Sequence, residues 1–187
     1  MKRRLQRTAA STVTVQRLTS ISTSIIAALA DYKGRKVRKT ERALVGPMLY
    51  AFLISLGHRS IREYNVAMLD TGKPKRIDFW VGSTKPVFIE LAVRKPGGSQ
   101  ELMGKQNQSE LSKLARANQA SVRTRYLLLI DLRAGSPIPR AELKKSYDPL
   151  HAGRGKFKRA PVRVIYVARD VSYHFLWKPF APPRRPA

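Results

Sequence analysis

Arg76-Ile-Asp-Phe-Trp-Val81 and Val87-Phe-Ile-Glu-Leu-Ala-Val93 are adjacent apolar runs, and each carries an acid in its interior. Branched and aromatic residues dominate both, and Gly82-Ser-Thr-Lys-Pro86 between them reads as a turn. Both runs are therefore expected to be strands joined by a short connection. An acid inside a hydrophobic strand is costly to bury unless a partner compensates it. Asp78 and Glu90 are the residues that any account of this chain has to explain.

Upstream, Ser60 to Val66 reads as a third strand, set off by Asp70-Thr-Gly-Lys-Pro74, so the three runs form an antiparallel meander. Before it, Thr40 can cap a helix from Glu41 to Leu56, with Leu44, Leu49, Leu53 and Leu56 along its apolar side. Pro47 is expected to disturb or kink that helix and Gly57 to stop it. Ser11 to Asp31 has Val15, Leu18, Ile21, Ile25 and Leu29 at near-helical spacing, although its Ser and Thr residues compete for backbone hydrogen bonds. Downstream, Lys95-Pro-Gly-Gly98 breaks the chain, and a helix is expected from Gln100 to Ala117 with Leu111, Leu114 and Ala115 on one face. Arg125 to Leu132 contains Tyr-Leu-Leu-Leu-Ile, a run suited to a strand covered on both faces. Residues 135–160 are basic and turn-rich, with a short helix expected at Arg140 to Lys145. Pro161 to Ala168 and Val171 to Trp177 read as a final hairpin around Arg169-Asp170. The expected organisation is a basic arm and helix over 1–39, a single α/β domain over 40–178 and a Pro/Arg-rich tail over 179–187.

The chain has 187 residues, with 37 Lys and Arg against 12 Asp and Glu, a formal net charge of +25. Charge of that size attracts polyanions, so DNA is the first expected partner and RNA stays open. A membrane surface is the weaker option, since no basic helix carries a broad apolar face. The clusters expected to touch phosphates are Lys33, Arg35, Lys36, Arg38 and Lys39, then Arg154, Lys156, Lys158 and Arg159, and finally Arg184 and Arg185. Cysteine is absent, which excludes disulfides, zinc-thiolate sites and cysteine nucleophiles. His58, His151 and His174 lack metal-ligand spacing. No apolar run approaches the roughly 20 residues that span a bilayer. A cytoplasmic or nucleoid-associated place is expected, while the acid-free, hydroxyl-rich residues 1–30 also fit an organellar import signal.

The order helix, three strands, helix, strand, with acids at Glu41, Asp78 and Glu90, resembles the PD-(D/E)XK nuclease superfamily. That is the restriction-endonuclease-like fold, closest in pattern to archaeal Holliday-junction resolvases. Glu41-Arg-Ala-Leu-Val45 resembles the start of the first helix, Arg76-Ile-Asp78 the strand with the motif's aspartate, and Ile89-Glu-Leu-Ala92 the acid-x-lysine element. Two departures stand out: Ile77 replaces the usual proline, and Ala92 replaces the motif lysine. The resemblance implies a central mixed sheet flanked by helices and a metal-dependent DNA endonuclease, with a homodimer as an open option. It also implies that Glu41, Asp78 and Glu90, with the Leu91 carbonyl, hold Mg²⁺ or Mn²⁺.

Side chains alternate along a strand, so Phe88, Glu90, Ala92 and Arg94 share a face. An oxygen-only donor set of this kind suits a hard divalent cation, which would polarise a phosphodiester and acidify a bound water. The competing reading pairs Asp78 and Glu90 with Lys or Arg as ordinary strand acids. Arg94, two residues beyond Ala92, and Lys105 on the following helix are the candidates to replace the lysine, with Gln106 able to position water. Arg94 stays protonated and suits charge stabilisation rather than base chemistry. Glu63 is a surface or pairing residue, or a substitute for Glu41. Two further functions stay open: a nucleic-acid-binding protein of the same fold without cleavage, and a basic structural component of a nucleoprotein particle.

Overall fold

The computed structural model describes residues 12–30, 41–96, 102–133, 135–152 and 159–179. Thus Lys33, Arg35, Lys36, Arg38, Lys39, Arg154, Lys156, Lys158, Arg184 and Arg185 lie outside the described residues, as does the expected cap Thr40. The chain forms an α/β structure around a six-stranded mixed sheet in the order β1-β2-β3-β4-β5-β6. The strands are β1 (Arg59–Ala67), β2 (Pro74–Gly82), β3 (Val87–Arg94), β4 (Thr124–Asp131), β5 (Val162–Val167) and β6 (Ser172–Trp177). β1, β2 and β3 form the expected antiparallel meander. β3, β4 and β5 run parallel, and β6 returns antiparallel in a hairpin with β5.

Parallel neighbours need crossover connections. α3 (Gln108–Arg116) lies in the connection from β3 to β4, and α4 (Arg140–Tyr147) in that from β4 to β5. These two helices cover one face, where Phe88, Ala92, Leu127, Leu129 and Val164 pack with Leu111, Leu114, Leu143 and Tyr147. The other face is covered by α1 (Val15–Ala30) and α2 (Gly46–Ser55). There Ile89, Leu91, Leu128 and Ile165 meet Leu18, Ile25, Leu49 and Leu53. Every residue of β3 is buried, so the continuous apolar character of β3 and β4 reflects cover on both faces.

The hydroxyl-rich α1 is held by its buried Leu18, Ile21, Ile25 and Ile26, and its hydroxyls are satisfied within the helix. Ser22 Oγ donates to the Leu18 carbonyl at 2.7 Å, and Thr23 and Ser24 donate to the carbonyls of Thr19 and Ser20. The expected helix from Glu41 to Leu56 is not one kinked rod. A π-helical turn, Glu41–Val45, leads into α2, and Pro47 falls in the first turn of α2, where a missing N–H costs nothing. Gly57 follows with φ +80°, as expected of a stop.

The expected helix from Gln100 to Ala117 is also shorter. Met103 is extended, a 3-10 turn spans Gly104–Asn107, and only then does α3 begin. A Cβ on Gly104 would lie 2.1 Å from the Ser146 carbonyl oxygen, so the turn packs backbone to backbone on α4. Tyr147 Oη fastens the same junction by donating to the Leu102 carbonyl at 2.9 Å.

Candidate active site

The ladder between β2 and β3 pairs Val81 with Val87, Trp80 with Phe88 and Phe79 with Ile89, and goes no further. Asp78 is the next residue on β2. On its other side, the ladder with β1 omits the partner of Asp78, Glu63, which adopts φ +52°. Asp78 therefore stands where β2 parts from β3 and is least tied to β1. Non-glycine residues rarely hold a left-handed backbone, which makes Glu63 a point of local strain.

The fork leaves the β2-facing edge of β3 without strand partners, and carboxylates take their place. Asp78 Oδ2 accepts the Leu91 N–H at 2.8 Å. Glu41, at the start of the π-helical turn, accepts from the Val93 N–H. Leu91 and Val93 have the same parity, so their N–H and C=O groups face the same edge. The Leu91 carbonyl thus belongs to the edge that Asp78 reaches.

Glu90 lies on the α3 face and is 1 % exposed. Lys113, from α3, places Nζ 2.7 Å from Glu90 Oε1. The contact is a close ion pair, yet this oxygen has no aligned hydrogen-bond partner. Burial and the nearby Asp78 carboxylate push Glu90 well above the ordinary range, against the pull of Lys113. Burial, Asp78 and Glu110 likewise push Glu41 up to about 7, against the Val93 N–H and Arg42. Glu41, Asp78, Glu90 and Glu110 are linked pairwise into an acidic group, Asp78 near Glu41 and Glu90 and Glu110 near Glu41, and Lys113 is the ammonium group set against Glu90.

Asp78 lies near both Glu41 and Glu90, and neither of the two bases considered for the missing lysine joins them. Arg94 is engaged elsewhere. Its Nε donates to Asp131 Oδ1 at 2.8 Å and its Nη2 contacts Oδ2 of the same carboxylate. Asp131 also accepts from Tyr166 Oη at 2.6 Å and from the Arg133 N–H at 3.0 Å. Lys105 and Gln106 line a groove beside α3, with Lys75, Arg116 and His151. Arg159 is half-buried ahead of β5. Glu63 pairs with Arg76 at 3.9 Å on the surface.

Lys113 lies inside the expected helix, but that helix is read only for the apolar Leu111, Leu114 and Ala115, so Lys113 is missed. The signal available was the position of Lys113 beside the apolar Leu111, Leu114 and Ala115, which anchors it near the sheet.

The donor set is oxygen-only, and the burial and like charge that raise Glu41 and Glu90 are of the kind a divalent cation offsets. Among the described residues, no group of three or more His, Asp or Glu side chains stands at the spacing of a formed metal site. No helix among the described residues is long and apolar enough to cross a membrane. No family model and no curated relative matches the chain. The chain is similar to a solved structure reported as "Crystal structure of SSO0001", with 12 % identity over 90 % of this chain and 67 % of that one and a TM-score of 0.30.

Proposed function

We propose that the chain is a metal-dependent DNA endonuclease of restriction-endonuclease-like fold. The observation that carries this reading is the fork itself: Asp78 and Glu41 cap the freed edge of β3, and Glu90 faces Lys113 one residue away from that edge. Buried acids that repel one another are kept at a cost to stability, and such costs cluster where chemistry is done. Asp78, Glu90 and the Leu91 carbonyl would hold Mg²⁺ or Mn²⁺, with Glu41 assisting. Bound there, the cation would polarise a phosphodiester and acidify a water. Lys113 supplies the positive charge that Ala92 cannot, and its ammonium can stabilise charge that develops on the phosphate.

The test is incubation of the purified protein with labelled duplex, branched and single-stranded DNA, in Mg²⁺, in Mn²⁺ and in chelator, beside Asp78→Ala and Glu90→Ala. Metal-dependent products that vanish in both variants are expected. Tight, salt-sensitive binding without products on any substrate would favour the second reading, a nucleic-acid-binding protein without cleavage. The ion pair between Lys113 and Glu90 is the observation on that side, since it already neutralises one of the acids.

A further inference from the structure

The groove on α3 belongs to no part of the acidic group. It encloses about 420 Å³, and its walls include Lys75 from β2, Lys105 and Gln106 from the 3-10 turn, Ser109 and Ser112 from α3, and Arg116 at the end of that helix. No carboxylate, Phe, Tyr or Trp lines it, and His151 stands on its wall. Arg116 is held by Asp70 at the β1–β2 turn. Lys75 and Lys105 are exposed, and neither has an ion pair among the described residues. The groove therefore offers two unneutralised ammonium groups and a row of hydroxyl and amide donors, the chemistry of a phosphate track. Without Phe, Tyr or Trp it lacks the large aromatic platform on which successive bases stack.

Its position relative to the acids is fixed by two elements. Lys75 precedes Asp78 by three residues on β2, a strand distance of about 10 Å. That equals about three nucleotides of rise along a DNA strand. On α3, at about 100° per residue, Lys113 lies about 40° around the helix from Ser109 and about 60° from Arg116. One helix thus carries the groove wall and, beside it, the ammonium that faces Glu90.

We infer that this groove holds the backbone phosphates of a DNA strand next to the phosphate at the acidic group, without reading sequence. The inference rests on the nuclease reading for the role of the acids, but its binding test does not. Labelled mixed-sequence DNA, duplex and single-stranded, and RNA of the same sequence are titrated with the full chain in chelator from about 50 to 200 mM salt. The variants are Lys75→Gln/Lys105→Gln and, as a charge-matched control on the opposite edge of the sheet, Arg169→Gln/Lys178→Gln. Matched melting curves establish that both variants are folded.

The groove variant is expected to bind DNA roughly tenfold or more weakly, with the slope of log affinity against log salt reduced by about 2, and the control to change far less. Equal losses in both variants, no loss in either, or a loss confined to RNA would overturn the inference. Wild-type cleavage with an unaffected groove variant would remove the groove and leave the nuclease. The expected binding loss in a protein that cuts nothing would do the reverse.

Discussion

β3 carries two buried charges on one face, Glu90 and Arg94, and their surroundings are opposites. Arg94 meets a neighbour in register on β4, Asp131, whose carboxylate is further satisfied by Tyr166 and a backbone N–H. Tyr166 Oη also accepts the Ile138 N–H, and Tyr173 Oη donates to the Ile138 carbonyl, so the cluster is closed. Glu90 has one imperfectly aligned ammonium beside it and the like charge of Asp78 nearby. A matched buried pair fixes the geometry of the sheet, whereas an acid-rich, undersupplied group awaits something positive.

Breaking the matched end should have the largest effect. Asp131→Ala leaves Arg94 buried and unpaired and should destabilise the fold by about 3–5 kcal/mol in urea denaturation. Arg94→Met/Asp131→Leu should recover most of that loss, because it removes both charges together. If Asp131→Ala costs less than about 1 kcal/mol, the cluster is not the scaffold described here.

At the other end the loss should be one of chemistry. Lys113→Ala should reduce cleavage by roughly 10²–10³-fold while DNA binding is retained. Ala92 shares its strand face with Glu90, so Lys113→Ala/Ala92→Lys should regain part of the activity. Unchanged cleavage in Lys113→Ala would strip Lys113 of the role proposed for it.

A smaller difference is expected from Glu41. Its carboxyl is raised from 4.5 to about 7 in the fold, so between these values the folded chain binds more protons than the unfolded one. Stability attributable to Glu41 is therefore fully present below about pH 4.5 and is lost as pH rises to about 7. Glu41→Gln should be more stable than wild type at pH 8 in chelator, and the advantage should shrink towards pH 5. A constant difference at both pH values would mean that burial and the neighbouring acids do not raise Glu41 in the fold.

The smallest expected effect concerns the strained residue beside the fork. Glu63→Gly removes the side-chain conflict of a left-handed backbone and should change stability by about 1 kcal/mol or less, in the stabilising direction. A clear destabilisation, measured in urea, would show that the Glu63 carboxylate matters more than its backbone.

Much of the sheet was legible because its signals are local. Turn residues mark the meander, and the unbroken Tyr126-Leu-Leu-Leu-Ile130 announces a strand covered on both faces. The helix entries were not legible, because they are set by contacts between distant residues. Gly104 packs on Ser146, and the π-helical turn carries Glu41 to the N–H of Val93. Asp78 and Glu90 could be picked out as acids in apolar strands, but the fork depends on Glu63, whose backbone has no signature in sequence. Arg94 and Lys105 followed from face counting and helix phase, but strand register gives Arg94 to Asp131, and the later helix start leaves Lys105 on the 3-10 turn at the groove.

The left-handed turn of Glu63 also bears on how copies of this chain meet one another. β1 is the outermost strand on its side of the sheet, and an uninterrupted outer strand is a template for pairing with another chain. β1 is interrupted in its middle, and Arg59, Arg62 and Glu63 place charge along it. The distortion that frees Asp78 for β3 thereby blunts edge-to-edge association, protecting the exposed margin of the sheet against aggregation.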